Sequence, residues 1–207
     1  MGKQNMSEKK LVMIRESLEN MEYPIIFMLM ERLKYQFDST TLQAIKSFLD
    51  TLKCSKTAVQ KEEYPELNNI FFKLEEKLFS FYFSKILPNN SGSKELPITS
   101  IFLKDANFFM QVMERIRIGI FVAQAKFEAS PELYQKLANE NNIQEINKQL
   151  TNIDVELKIL DRIKEKACQL NFINPSFNPE IAVSFYKDCI IPLTKELELE
   201  YLLMCKS

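Results

Sequence analysis

RIRIGIFVAQAKF, residues 115–127, brackets an apolar run, IGIFVA, with Arg115 and Lys126. Eleven residues at about 100° each make about 1100°, within about 20° of three full helical turns. A helix here carries both cations on one face, about 16 Å apart along its axis. Ile118 and Val122 share or flank that face, so at least one of the two charges points inward.

Working outward, the helical period continues in both directions. Residues 98–128 read as one long helix and SPELYQKLA (130–138) as a short one. Two more are predicted over 142–170 and 179–205, the latter bent at Pro192 and separated from the former by INPSFNP (173–179). Upstream, 7–37 carries Leu11, Ile14, Leu18 and Met21 at helical spacing, with Pro24 placed to kink or split it. A segment over 38–53 has Ser39 or Thr40 as its cap, and 66–87 repeats Phe and Leu on one side. PNNSGSKELP (88–97) is the one long loop, and residues 1–7 read as a flexible start. With no alternating strand pattern or internal repeat, the expectation is an all-α fold, a single domain over 1–207 built as a bundle of long helices.

Charge and composition remove several function classes. Lys and Arg total 27 against 28 Asp and Glu, so nothing in the balance favours nucleic acid or an anionic membrane as partner. The longest clean apolar run, IIFMLM (25–30), is far short of the ~20 residues that span a bilayer. The start lacks a secretory or transit signal, and Met6 breaks the myristoylation pattern, so a cytoplasmic protein is expected. Cys54, Cys168, Cys189 and Cys205 are scattered without a C-x-x-C pair, which predicts reduced thiols and no metal site. Three glycines leave no phosphate loop or dinucleotide fingerprint. The absence of histidine excludes Ser-His-Asp and Cys-His nucleophile systems and histidine zinc motifs.

Polar pairs recur along faces that are otherwise apolar. Asn152 and Glu156 are four apart beside Val155 and Ile159, and Thr194 and Glu198 are four apart beside Leu197 and Tyr201. Singly, each fits a solvated helix face, where charged residues ordinarily sit.

In combination, three segments resemble the all-helical eukaryotic chorismate mutases. They are LVMIRESLENMEYPIIFMLMER (11–32), RIRIGIFVAQAKF with the following PELYQKL, and the pair LTNIDVELKIL (150–160) and IIPLTKELELEYLL (190–203). The similarity is strong over 11–37 and 98–206 and poor between. It implies seven site residues: Arg15 at the N-terminal arginine, Arg115 and Lys126 on the central helix, Asn152 and Glu156 on the next, Thr194 and Glu198 on the last. It also implies chorismate as the small-molecule substrate, rearranged to prephenate on the way to phenylalanine and tyrosine, with no cofactor or metal, and a homodimer.

That chemistry suits a chain without histidine. The [3,3] rearrangement needs no proton transfer or nucleophile. It needs a dianion held in its compact near-attack conformer and charge stabilised on the breaking ether oxygen. Arg15 and Arg115 would take the two carboxylates, Lys126 the ether oxygen and a carboxylate, and Glu156 the ring hydroxyl. Asn152 and Thr194 would orient the substrate. Glu198 would donate a hydrogen bond to the ether oxygen when protonated, a state favoured by burial and opposed by Lys126.

Larger members of that family respond to tryptophan and tyrosine through an arginine pair and a Gly-Ser-x-x-Thr turn. Here the counterpart of the arginine pair is acidic, at KEEY (61–64), and the turn reads TSIFL (99–103), with Leu103 in the threonine's place. Weak or absent amino-acid regulation is therefore expected. Two other readings stand beside the mutase. One is a non-catalytic helical interaction protein on the same fold; the other is an isochorismate–pyruvate lyase using the same kind of pocket.

Overall fold

The computed structural model describes residues 2–37, 42, 43, 47 and 65–206. Among them no strand forms: apart from one isolated bridge between Tyr35 and Lys94, the regular structure is helical. In chain order the helices are α1 (Gly2–Arg32), α2 (Asn68–Phe81), α3 (Leu87–Asn90), α4 (Ile98–Arg117) and α5 (Gly119–Ala129). They continue with α6 (Pro131–Asn139), α7 (Ile143–Leu150), α8 (Ile153–Asn171), α9 (Pro179–Phe185) and α10 (Ile191–Met204). None is long and apolar enough to cross a membrane. The segment expected over 38–53 and the KEEY stretch fall almost wholly outside the described residues.

α1 passes through Pro24 without splitting. A proline inside a helix costs about 3 kcal/mol. The next two turns bury Ile25, Ile26, Leu29 and Met30 almost completely, at about 1.5–3 kcal/mol each. Burial outweighs the lost hydrogen bond, and the helix continues.

Two other prolines, Pro88 and Pro192, follow widened turns. Tyr82–Ile86, between α2 and α3, and Tyr186–Ile190, between α9 and α10, are π-helical, closed by Leu87 N–H to the Tyr82 carbonyl and Ile191 N–H to that of Tyr186. Pro88 and Pro192 each follow two residues after such a turn. A proline has no N–H for the carbonyl four residues back, and its ring crowds that group. The wide turn leaves room for it. The last segment is therefore helical without interruption through a π-turn that ends two residues before Pro192.

Two other long segments divide. The expected 98–128 helix breaks for one residue at Ile118, between α4 and α5. The expected 142–170 helix stops at Thr151, and Asn152 opens α8 as its N-cap, its Oδ1 accepting from Val155 N–H at 3.1 Å. Asn152 is thus not an interior helical residue. Asparagine satisfies an orphan N–H better at a cap than inside a helix. The 88–97 loop is shorter than expected, because α3 extends to Asn90.

A main core gathers apolar faces of α1, α2, α4, α8, α9 and α10, including the stacked Tyr82 and Phe108 rings 5.0 Å apart. A smaller one joins α5, α6, α7 and α10 through Ala123, Tyr134, Leu137, Ile146, Leu150 and Leu202. Within the main core Arg32 and Asp105 are fully buried, Arg32 Nε donating to Asp105 Oδ1 at 2.9 Å and the Tyr82 hydroxyl donating to the same oxygen at 2.8 Å. α5 lies between α10 on one side and α1 on the other. That packing turns the central helix's cations toward the last helix.

Candidate active site

Arg115, on the last turn of α4, is 3% exposed, and its Nη1 donates to Thr194 Oγ1 at 3.3 Å. The Thr194 hydroxyl is fixed in turn by donating to the Ile190 carbonyl at 2.7 Å. Burial pushes the guanidinium below its ordinary pKa, while Tyr186, Glu22 and Glu198 pull it back up. An arginine keeps its proton through such a shift. Its Nε is buried without a partner among the described residues.

Three turns further along the same face, Lys126 Nζ donates to Glu198 Oε2 at 3.3 Å and to the Leu150 carbonyl at 3.2 Å. Glu198 is 6% exposed. Burial raises its pKa above the usual carboxylate value, against the opposing pull of Lys126, Arg115 and Lys195. α10 thus sets Thr194 and Glu198, one turn apart, against Arg115 and Lys126. The spacing read from the sequence becomes a pair of facing contacts.

Of the remaining three residues, only Glu156 is tied to this pair. Glu156, in the first turn of α8, accepts from Lys195 Nζ at 3.0 Å. Asn152 is exposed, with Oδ1 committed to its cap. Arg15 is exposed on α1, and among the described residues no hydrogen bond or ion pair joins it to the other six. The structure therefore brings Arg115, Lys126, Thr194 and Glu198 into direct contact, and places Glu156 beside them through Lys195.

Several supporting residues were not singled out in the sequence. Glu22, fully buried, receives Arg162 Nε at 2.8 Å, Arg162 Nη2 at 2.6 Å and Lys166 Nζ at 2.8 Å. Its charge reaches Arg115 from behind. Tyr186 lies beside the same charges, and burial raises its phenol above the ordinary value, opposed by Arg115 and Arg162 and reinforced by Glu22. Glu22 did leave a signal: it lies four residues after Leu18 and three before Ile25, inside the apolar stripe of α1. Lys195 left none. No group of three or more metal-ligating side chains occurs among the described residues.

No protein-family model matches the chain. It is 33% identical over 168 residues to the chorismate mutase of Saccharomyces cerevisiae, covering 76% of this chain and 62% of that protein. The chorismate mutase of Schizosaccharomyces pombe is 28% identical over an alignment covering 94% of this chain and 95% of the relative. A solved chorismate mutase of Candida albicans, in complex with L-Trp, superposes with a TM-score of 0.74 at 26% identity, covering 93% of this chain and 90% of that one. The chain spans about three fifths of the length of the first curated relatives it matches. Arg115 and Lys126 facing Thr194 and Glu198 stand in a helical architecture, and the curated relatives and solved structures that the chain resembles are all-helical, eukaryotic-type chorismate mutases.

Proposed function

We propose that this protein is a cytoplasmic isomerase that rearranges chorismate to prephenate. The observation that carries the reading is the double contact between central and last helices, Arg115 with Thr194 and Lys126 with Glu198, each 3.3 Å. Arg115 holds one substrate carboxylate, its Nε being buried without a partner among the described residues, and Arg15 reaches the other from α1. A guanidinium fork suits a carboxylate. Glu156 accepts from the ring hydroxyl, with Asn152 and Thr194 as orienting groups. Fixing both ends of the dianion favours the folded near-attack conformer.

As the C–O bond breaks, negative charge gathers on the ether oxygen. Lys126 meets it as a compact cation and Glu198 as a neutral donor, a preorganised electrostatic site. An ionised Glu198 would repel that charge. Burial raises the Glu198 pKa, so the donor form extends upward in pH and is lost as pH rises through the raised value. Turnover is therefore expected to be greatest at mildly acidic pH and to fall above it. Glu198→Gln keeps a donor without the titration, so its profile should lose that fall. The check is chorismate loss and prephenate formation by purified protein across a pH series. An unchanged acidic profile in Glu198→Gln would remove Glu198 from this role.

The same assay separates the rivals. Pyruvate release from isochorismate would favour the lyase, and no conversion at any pH the non-catalytic scaffold. Regulation is expected to be weak: Leu103, where the family's effector turn carries threonine, is 59% exposed in the first turns of α4. L-Trp occupies the Candida albicans relative, so a clear response of this chain to tryptophan would sink that expectation. The working form is a homodimer. Its support is an apolar face on α1 and α4, where Phe27, Leu103 and Met110 are exposed.

A further inference from the structure

Gly119 is one of three glycines in the chain, and it is buried. It opens α5 four residues after Arg115 and seven before Lys126. At about 100° per residue it lies within about 40° of Arg115 and about 20° of Lys126, on the face that meets α10. Its φ is not positive, so backbone conformation does not demand glycine. Space does. A Cβ at this position would stand 2.8 Å from Thr194 Cγ2, 3.4 Å from the Thr194 carbonyl oxygen and 3.5 Å from Glu198 Cγ.

From this contact we propose that Gly119 is a positioning residue for the rearrangement, a proposal that rests on the activity reading above. Its missing side chain lets α10 approach closely enough for Arg115 to reach Thr194 and Lys126 to reach Glu198 at the same time. The limiting contact is with the threonine methyl, one of the two residues it positions. Any residue larger than glycine pushes Thr194 and Glu198 off the central helix together. Both 3.3 Å contacts then lengthen at once.

The methyl group supplies the test. Gly119→Ala is made in the natural chain and again in Thr194→Ser, which keeps the hydroxyl and removes Cγ2. In the natural background Gly119→Ala should lower kcat/KM by about tenfold or more, since displacements under 1 Å at a reacting centre are costly. In the Thr194→Ser background the same change should cost less than about threefold relative to Thr194→Ser alone. Equal losses in both backgrounds overturn the proposal, as does full activity of Gly119→Ala in the natural chain. Failure of Gly119→Ala to fold in both backgrounds, read by circular dichroism, also overturns it. Absence of turnover by the unsubstituted protein would overturn the activity reading and the positioning role with it. Turnover with background-independent losses would overturn the positioning role alone.

Discussion

Lys195 is the residue whose importance the linear sequence conceals. It holds Glu156 at 3.0 Å and adds to the positive field on Glu198, which Lys126, Arg115 and Tyr134 also face. Both side chains of the Lys195–Glu156 pair are partly exposed, so the interaction is worth only about 0.2–1 kcal/mol. Lys195→Met is expected to lower kcat/KM by about two- to fivefold. Removing a cation makes Glu198 harder to ionise, so the alkaline fall in activity should move to higher pH by less than about one unit. A pH–rate profile of the variant checks both, and a fall that moved to lower pH would reverse the argument. Arg115 and Lys126 were legible because their spacing fixes them on one helical face whatever they meet. Lys195 was not, because it neighbours Thr194 in sequence and its partner lies 39 residues away. Asn152 was legible as a polar residue near the site but not as a cap, since a helical period runs through it from both sides.

Helix by helix, the register of the last segment explains a pattern the sequence displays without its cause. Ala182, Tyr186, Ile190, Thr194 and Glu198 are all buried and lie four residues apart. Sixteen residues of regular α-helix would rotate this row by about 160°. One π-turn takes up an additional residue, about 100°, and leaves a drift of about 60°. The π-turn at Tyr186–Ile190 thereby keeps Thr194 and Glu198 on the face begun by Ala182. Pro192 falls between Ile190 and Thr194 of this row, and only packing shows how the row is carried past it. The buried pair joining α1 to α4 makes a further prediction. Asp105→Asn leaves the Arg32 guanidinium buried without its counter-charge and should cost about 3–5 kcal/mol of stability. Denaturant titration measures this. Replacing both partners with apolar residues, Arg32→Met with Asp105→Leu, should cost less than the single change.

For the molecule as a whole, the all-helical class was readable from periodicity alone, while the breaks at Ile118 and Thr151 were not. Gly119, Thr151 and Asn152 disfavour helix by at most about 1 kcal/mol each, too little alone to place a break, and tertiary packing decides both breaks. The exposed apolar face bears on assembly. Leu103 and Met110 are seven residues apart on α4 and 59% and 70% exposed, and Phe27 of α1 lines an open groove together with Met110. Light scattering should return twice the 24.3 kDa chain mass, and Leu103→Glu with Met110→Lys should return a single chain. A single-chain mass for the unsubstituted protein would remove the dimer. The contacts that assemble the site also join parts of the chain remote from each other in sequence. Arg115 and Thr194 are 79 residues apart, Lys126 and Glu198 72, and Glu22 and Arg162 140. Helices nucleate from neighbours within microseconds, whereas contacts of this span wait on loop closure. A nascent chain whose C-terminal segment is still inside the ribosome can already hold most of its helices, yet has no Glu198 to set opposite Lys126. Under the proposed activity, turnover waits on these long-range contacts and reports that they have closed.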